Sequence, residues 1–133
     1  MNCKVLLVVD DDAEMRGLLR RVLAPLGKVL EASNGPDALR LIQGETPGLM
    51  LLDFAMPVMD GLAVLKTARE IAPNMSVLML TGDSDLSVIK RALAGGARAY
   101  ITKPFEVESL LGEVSRLLTI AEAPPDRPWS VRP

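Results

Sequence analysis

The chain contains no histidine in 133 residues. That excludes a histidine-based catalytic triad, a zinc site with imidazole ligands and a phosphohistidine on this chain. Cysteine is nearly absent too. Cys3 stands alone, so no internal disulfide can form, and a reducing cytosol suits it. No apolar run approaches the ~18 residues of a membrane span, and no membrane insertion is expected. Met1-Asn2-Cys3-Lys4 leads straight into a strand pattern rather than a signal peptide, so a cytoplasmic location is expected. Charge of one sign is also lacking: 15 basic residues face 17 acidic ones, for a net charge of -2. This argues against holding nucleic acid or an anionic membrane through bulk electrostatics. No internal repeat is evident.

What the chain does have is apolar substance. Hydrophobic residues make up 49% of it, enough for one well-filled domain at this length and too little chain for two. The stretch around which the rest is organised is Leu49-Met50-Leu51-Leu52-Asp53, followed by Met56-Pro57 and Asp60-Gly61. An apolar run bounded by turn signals reads as a strand buried on both faces. Asp53 falls at its carboxyl end, where open α/β sheets hold their ligands.

The flanking sequence repeats the theme. Val5 to Val9 is a second continuous run, ending in Asp10-Asp11-Asp12. Met15, Leu18, Leu19, Val22, Leu23 and Leu26 then form a helical stripe, with Arg16, Arg20 and Arg21 off it and Gly27 as a plausible helix-ending residue. Val29 to Ala32 is short and mixed, as an edge strand would be. Asn34-Gly35-Pro36 opens a helix with Ala38, Leu41 and Ile42 facing in. Gly61 to Ala72 is helical through Leu62, Leu65 and Ala68 until Pro73 stops it. Ser76 to Leu80 is a strand ending at Thr81-Gly82. Leu86, Ile89 and Leu93 mark a helix closed by Gly95-Gly96. Ala99 to Thr102 is a short strand before Lys103-Pro104, and Val107, Leu110, Leu111, Val114, Leu117 and Leu118 form a last stripe. Five strands alternating with five helices give an α/β, doubly wound fold with a parallel sheet. Asp10, Asp11, Asp53, Thr81 and Lys103 then share one sheet edge. Residues 1–120 form the domain, and the Pro-rich 121–133 segment with Trp129 is expected to be a semi-rigid extended tail or linker.

Each polar position has an ordinary explanation by itself. Asp11 could cap a helix with Glu14 completing a capping box, Thr81-Gly82 could be punctuation after a strand, and Lys103 a solvated lysine. Asp60 is expected to cap the third helix. Together these positions resist that explanation on energy. Carboxylates converging at one edge repel by roughly 4 kcal/mol per pair at 4 Å and an effective dielectric of 20. A cation in their midst offsets this, and oxygen-only ligands suit Mg2+. A lysine and a hydroxyl at the same edge add donors for further negative oxygen. The set forms a receptacle for a phosphoryl group, and with no histidine the nucleophile is a carboxylate, giving an aspartyl phosphate.

At this point the chain resembles a response-regulator receiver domain of two-component signalling, of the chemotaxis-regulator-like kind, over residues 4 to about 119. The carrying motifs are Val8-Val9-Asp10-Asp11, Leu52-Asp53-Phe54-Ala55-Met56-Pro57, Met59-Asp60-Gly61, Leu80-Thr81-Gly82 and Tyr100-Ile101-Thr102-Lys103-Pro104-Phe105. The resemblance implies a flavodoxin-like sheet of order 2-1-3-4-5. It implies that Asp53 accepts the phosphoryl group. Asp10, Asp11, Asp53 and the main-chain carbonyl of Ala55 hold Mg2+. Lys103 pairs with a phosphoryl oxygen, Thr81 donates its hydroxyl to another, and Tyr100 is the switch aromatic. A cis Lys103-Pro104 bond is also implied. The donor is a sensor histidine kinase or a histidine phosphotransfer protein, and the helix 4, strand 5 and helix 5 surface meets a downstream protein partner. Ala55 and Asp83 are expected to tune the phosphoryl lifetime. Gly96-Ala97-Arg98-Ala99-Tyr100 lacks the Asp-Asp that precedes Tyr in receivers of winged-helix regulators, so their dimer and direct DNA binding are not expected.

Three alternatives stay open. One is a small phosphatase resembling the haloacid dehalogenase superfamily, using Asp10 in Asp10-x-Asp12. Another is a receiver used as a phosphate-independent scaffold. The third is a receiver cut from a longer kinase or regulator.

Overall fold

The computed structural model describes residues 4–54, 60–82 and 86–121, with the backbone alone for 120 and 121. Five strands, β1 (Val5–Val9), β2 (Lys28–Ala32), β3 (Leu49–Asp53), β4 (Ser76–Thr81) and β5 (Ala99–Thr102), form one parallel sheet in the order β2-β1-β3-β4-β5. Five helices connect them: α1 (Ala13–Leu23), α2 (Gly35–Glu45), α3 (Gly61–Ile71), α4 (Leu86–Ala94) and α5 (Val107–Ala121). The expected doubly wound α/β architecture and strand order are observed.

The apolar runs are strands because both faces of the sheet are covered. The two-residue period of a strand divides each run between the faces. Leu7, Val9, Met50, Leu52, Val77 and Met79 pack against Ala38 and Ile42 of α2, Val64 and Leu65 of α3, and Ile89 of α4. Leu6, Val8, Leu49, Leu51, Leu78 and Leu80 pack against Leu19 and Leu23 of α1 and Leu110, Val114 and Leu117 of α5. All five residues of β3 are buried, as its central place requires. β2 is the mixed-polarity edge strand, with Lys28 exposed.

Helix boundaries follow the caps. Asn34 accepts from the Asp37 N–H at the start of α2, and Asp60 accepts from the Leu62 N–H at the start of α3, the capping role expected of it. α1 departs from expectation. Its stripe does not continue to Leu26 as α-helix, because the helix ends at Leu23 and Ala24–Leu26 forms a 3-10 turn containing Pro25. Proline lacks the N–H that another α-turn would use. Gly27 therefore follows the 3-10 turn rather than the α-helix, and its requirement is close approach. A Cβ there would lie 2.3 Å from the Lys4 carbonyl oxygen, a backbone atom in the β1–β2 pairing that cannot swing aside. Gly27→Ala is expected to cost about 1–3 kcal/mol, read as a lower urea midpoint. An unchanged midpoint would show that the entry to β2 can shift freely.

In α4, Ile89 and Ala92 face the core, while Leu86 is 65% exposed and Leu93 40%. Leu86 and Leu93, at helical spacing from buried Ile89, thus flank the core-facing stripe on its solvent side. The tail at 122–133, with Trp129, lies outside the described residues, as do Ala55 and Asp83.

Candidate functional site

Period-two alternation also aims the polar residues at the sheet's carboxyl edge. Asp53 continues the Leu49, Leu51 series of β3, and Asp10 continues Leu6, Val8 just past β1. Lys103 continues Ala99, Ile101 just past β5. All three series belong to the α1/α5 side of the sheet. Side chains from three strands, far apart in sequence, are thus directed to one spot.

Distances bear this out. Lys103 Nζ lies 3.2 Å from Asp10 Oδ2 and 3.5 Å from Asp53 Oδ1. Asp10 is fully buried and Asp53 is 3% exposed, whereas Asp11 is exposed. One carboxylate oxygen from each of Asp10, Asp11 and Asp53 falls within 4.8 Å of the others. The three carboxylates and Lys103 leave two negative charges in excess, the charge that a divalent cation cancels. Repulsion at such separations is roughly 3–4 kcal/mol per pair at an effective dielectric of 20. The donors are all oxygen, without thiol or imidazole, and two of them are held on strand ends. Such a set fits a hard cation such as Mg2+.

The turn after β1 is fixed by hydrogen bonds. The Asp12 N–H donates to Asp10 Oδ1 at 2.9 Å, and Asp12 Oδ1 accepts from the Glu14 N–H at 3.0 Å. Asp12, not Asp11, therefore caps α1, so Asp11 is not used as the helix cap. Thr81 ends β4 beside Thr102, is 3% exposed, and its carbonyl accepts from the Lys103 N–H at 2.7 Å. The Lys103-Pro104 bond is cis. Tyr100 sits on β5 opposite Met79 and is 42% exposed. It lies on the strand face opposite to Lys103 and away from the carboxylates.

One supporting residue was not singled out in the sequence. Arg16, expected only as an off-stripe residue of α1, donates from Nη1 to the Asp10 carbonyl at 2.8 Å. Its Nε donates to Glu31 Oε1 of β2 at 3.3 Å. Arg20 Nη1 reaches the other Glu31 oxygen at 3.3 Å. This clasp ties the acidic turn to the edge strand. A glutamate, Glu31, inside the mixed-polarity edge strand was the available signal. Gly61, read from the sequence as a turn and helix-start residue, has a further requirement: a Cβ there would meet the Phe54 Cα at 2.8 Å, so the residue after the Asp60 cap must be small for α3 to pass the end of β3.

Comparison with known proteins identifies the family and the fold. A family model described as the response regulator receiver domain matches residues 6–115. The transcriptional regulator NtrC of Escherichia coli K12 is 36% identical over 120 residues, covering 90% of this chain but 26% of NtrC. The chain thus spans about a quarter of the length of that relative. The chemotaxis protein CheY of Halobacterium salinarum is 34% identical over 117 residues, covering 87% of this chain and 98% of CheY. Among solved structures, a CheY-like receiver domain protein from Methanospirillum hungatei superposes with a TM-score of 0.87 at 31% identity, covering 91% of this chain and 98% of that one.

Proposed function

This chain belongs to the response-regulator receiver family, whose members are signalling switches rather than turnover enzymes, and on that premise we propose that it accepts a phosphoryl group on Asp53. The donor is the phosphohistidine of a sensor histidine kinase or a histidine phosphotransfer protein. The single observation that carries the proposal is Lys103 Nζ poised between Asp10 and Asp53 where three carboxylates meet.

In the proposed reaction a carboxylate oxygen of Asp53 attacks phosphorus in line. The P–N bond breaks, and the electron pair leaves on the donor's imidazole nitrogen. Little covalent chemistry falls to the protein, so positioning and charge neutralisation dominate. Asp10, Asp11 and Asp53, with the Ala55 carbonyl, would hold Mg2+, which when bound supplies positive charge to the phosphoryl oxygens. Lys103 supplies the second positive charge from a fixed position at the end of β5. Thr81 donates its hydroxyl to a phosphoryl oxygen, and Tyr100 responds by moving inward. The α4–β5–α5 surface then differs between the two states, as a population shift requires. A downstream protein partner reads that surface. Direct DNA binding and membrane insertion form no part of the proposal, and no helix among the described residues is long and apolar enough to cross a membrane. The site of action is the cytoplasm. Residues 1–120 act as the switch and 121–133 as tail or linker.

The test is incubation with acetyl phosphate and Mg2+, followed by intact-mass measurement. One added phosphoryl group, lost when the metal is chelated beforehand, supports the proposal. A chain that never gains mass speaks for the phosphate-independent scaffold. The lifetime of the phosphoryl group is expected to depend on residues 55 and 83. Ala55→Asn adds a polar amide two residues after the acceptor, and Asp83→Ala removes an acid two residues after Thr81. Dephosphorylation followed by mass should shift severalfold in each, and rates identical to the parent's would remove both positions from the account.

A further inference from the structure

A second concentration of charge lies on the far side of the sheet from Lys103. Between α3 and α4 is a cleft of about 450 Å³, lined by Leu62, Leu65, Lys66, Arg69, Arg91 and Gly95, with Glu70 as its one acidic lining residue. Leu65 is buried and Leu62 half-buried, so the floor is apolar while the rim is cationic. None of Lys66, Arg69, Arg91 and Arg98 joins an ion pair among the described residues. In a chain of net charge -2, this is a local excess of uncompensated positive charge.

The arginine at its centre is held in place. Arg69 Nη1 donates to the Pro73 carbonyl at 2.6 Å and to the Met75 carbonyl at 3.3 Å. Its side chain crosses Gly96, which has φ +113° and where a Cβ would lie 2.6 Å from Arg69 Nε. The bareness of Gly96 is what admits the guanidinium. With Nη1 engaged, Nε and Nη2 have no hydrogen-bond partner among the described residues. A guanidinium fixed in this way loses little freedom on meeting a carboxylate. Nearby Arg98 is pulled below the usual arginine pKa by burial and then by the Arg69 charge, as expected where two cations crowd without an anion.

We propose that the α3–α4 cleft docks an acidic peptide segment of a partner protein, with an apolar side chain over Leu62 and Leu65 and carboxylates on Lys66, Arg69 and Arg91. Charge complementarity selects the occupant. A free inorganic anion has no use for the apolar floor. A nucleic acid would be repelled by the chain's negative balance and requires a longer basic stripe than this cleft offers. The docking does not depend on phosphorylation of Asp53.

The test uses the full chain, isotopically labelled for NMR, and a synthetic amphipathic peptide of glutamate and leucine as the probe. Controls are the same peptide with Gln for Glu, inorganic phosphate, and duplex DNA. Expected are shift changes centred on Leu62, Lys66, Arg69, Arg91 and Gly95, with affinity falling as salt rises. Binding should weaken about tenfold in the Lys66→Glu, Arg91→Glu double variant and severalfold in the milder Arg91→Gln. Asp53→Asn should bind like the parent, which separates this outcome from that of the phosphorylation experiment. Shift changes confined to another face, no binding, equal binding of the Gln peptide, full affinity in both variants, or phosphate or DNA taking the same cleft in preference to the peptide would each overturn the proposal.

Discussion

Asp53→Asn is expected to abolish the phosphoryl gain from acetyl phosphate and Mg2+ while leaving the fold intact. An amide oxygen is not a nucleophile at neutral pH, so substitution removes the reacting atom rather than slowing the reaction. The fold should survive because Asn is nearly isosteric and the change relieves repulsion. Asp53 stands within 4.8 Å of two other carboxylates, so losing its charge leaves Lys103 to balance Asp10, 3.2 Å away. Intact mass and thermal unfolding measured on the same sample distinguish these effects. A substantial residual gain at another residue would show that Asp53 is not the acceptor.

Lys103→Ala has the second largest expected effect, and its two readouts should move in opposite senses. Phosphorylation by acetyl phosphate should slow by roughly 10²–10³-fold, the cost of removing one fixed donor from developing negative charge. Magnesium affinity, followed by calorimetry, should hold or rise. Removing the Lys103 ammonium from between Asp10 and Asp53 raises the site's excess negative charge, and the metal then becomes its main source of compensation. A variant that merely lost its structure would lose both properties. A variant that phosphorylated at the parent rate would show that Lys103 serves only to pair the acids.

The strands were visible in the sequence because their burial is written as unbroken apolar runs, and Leu49–Asp53 is the clearest case. The candidate site was visible because a parallel sheet gathers its strand ends. Asp10, Asp53, Thr81 and Lys103 had to share an edge once the runs before them were strands. The series Leu6-Val8-Asp10, Leu49-Leu51-Asp53 and Ala99-Ile101-Lys103 even encode which side of the sheet three of them face. Other features depend on approach between distant segments, which no local pattern records. Gly27 is dictated by the Lys4 carbonyl and Gly61 by Phe54, neither a neighbour in its own helix or turn. Arg16 looks like any polar-face arginine until β2 brings Glu31 beside it. Leu86 and Leu93 show the limit of periodicity itself, since the helical spacing they share with buried Ile89 does not tell how far the stripe turns into solvent. Which of two adjacent aspartates caps α1 is decided by the turn that Asp10 Oδ1 draws tight around the Asp12 N–H.

The most direct test of the central claim is to locate the phosphoryl group. The chain is incubated with acetyl phosphate and Mg2+, the acyl phosphate is trapped by borohydride reduction, and the peptides are mapped by mass. The account predicts homoserine at position 53, dependent on Mg2+ and absent elsewhere. Reduction at Asp10, at Asp11, or at no aspartate of this edge under conditions where the metal is bound would contradict it.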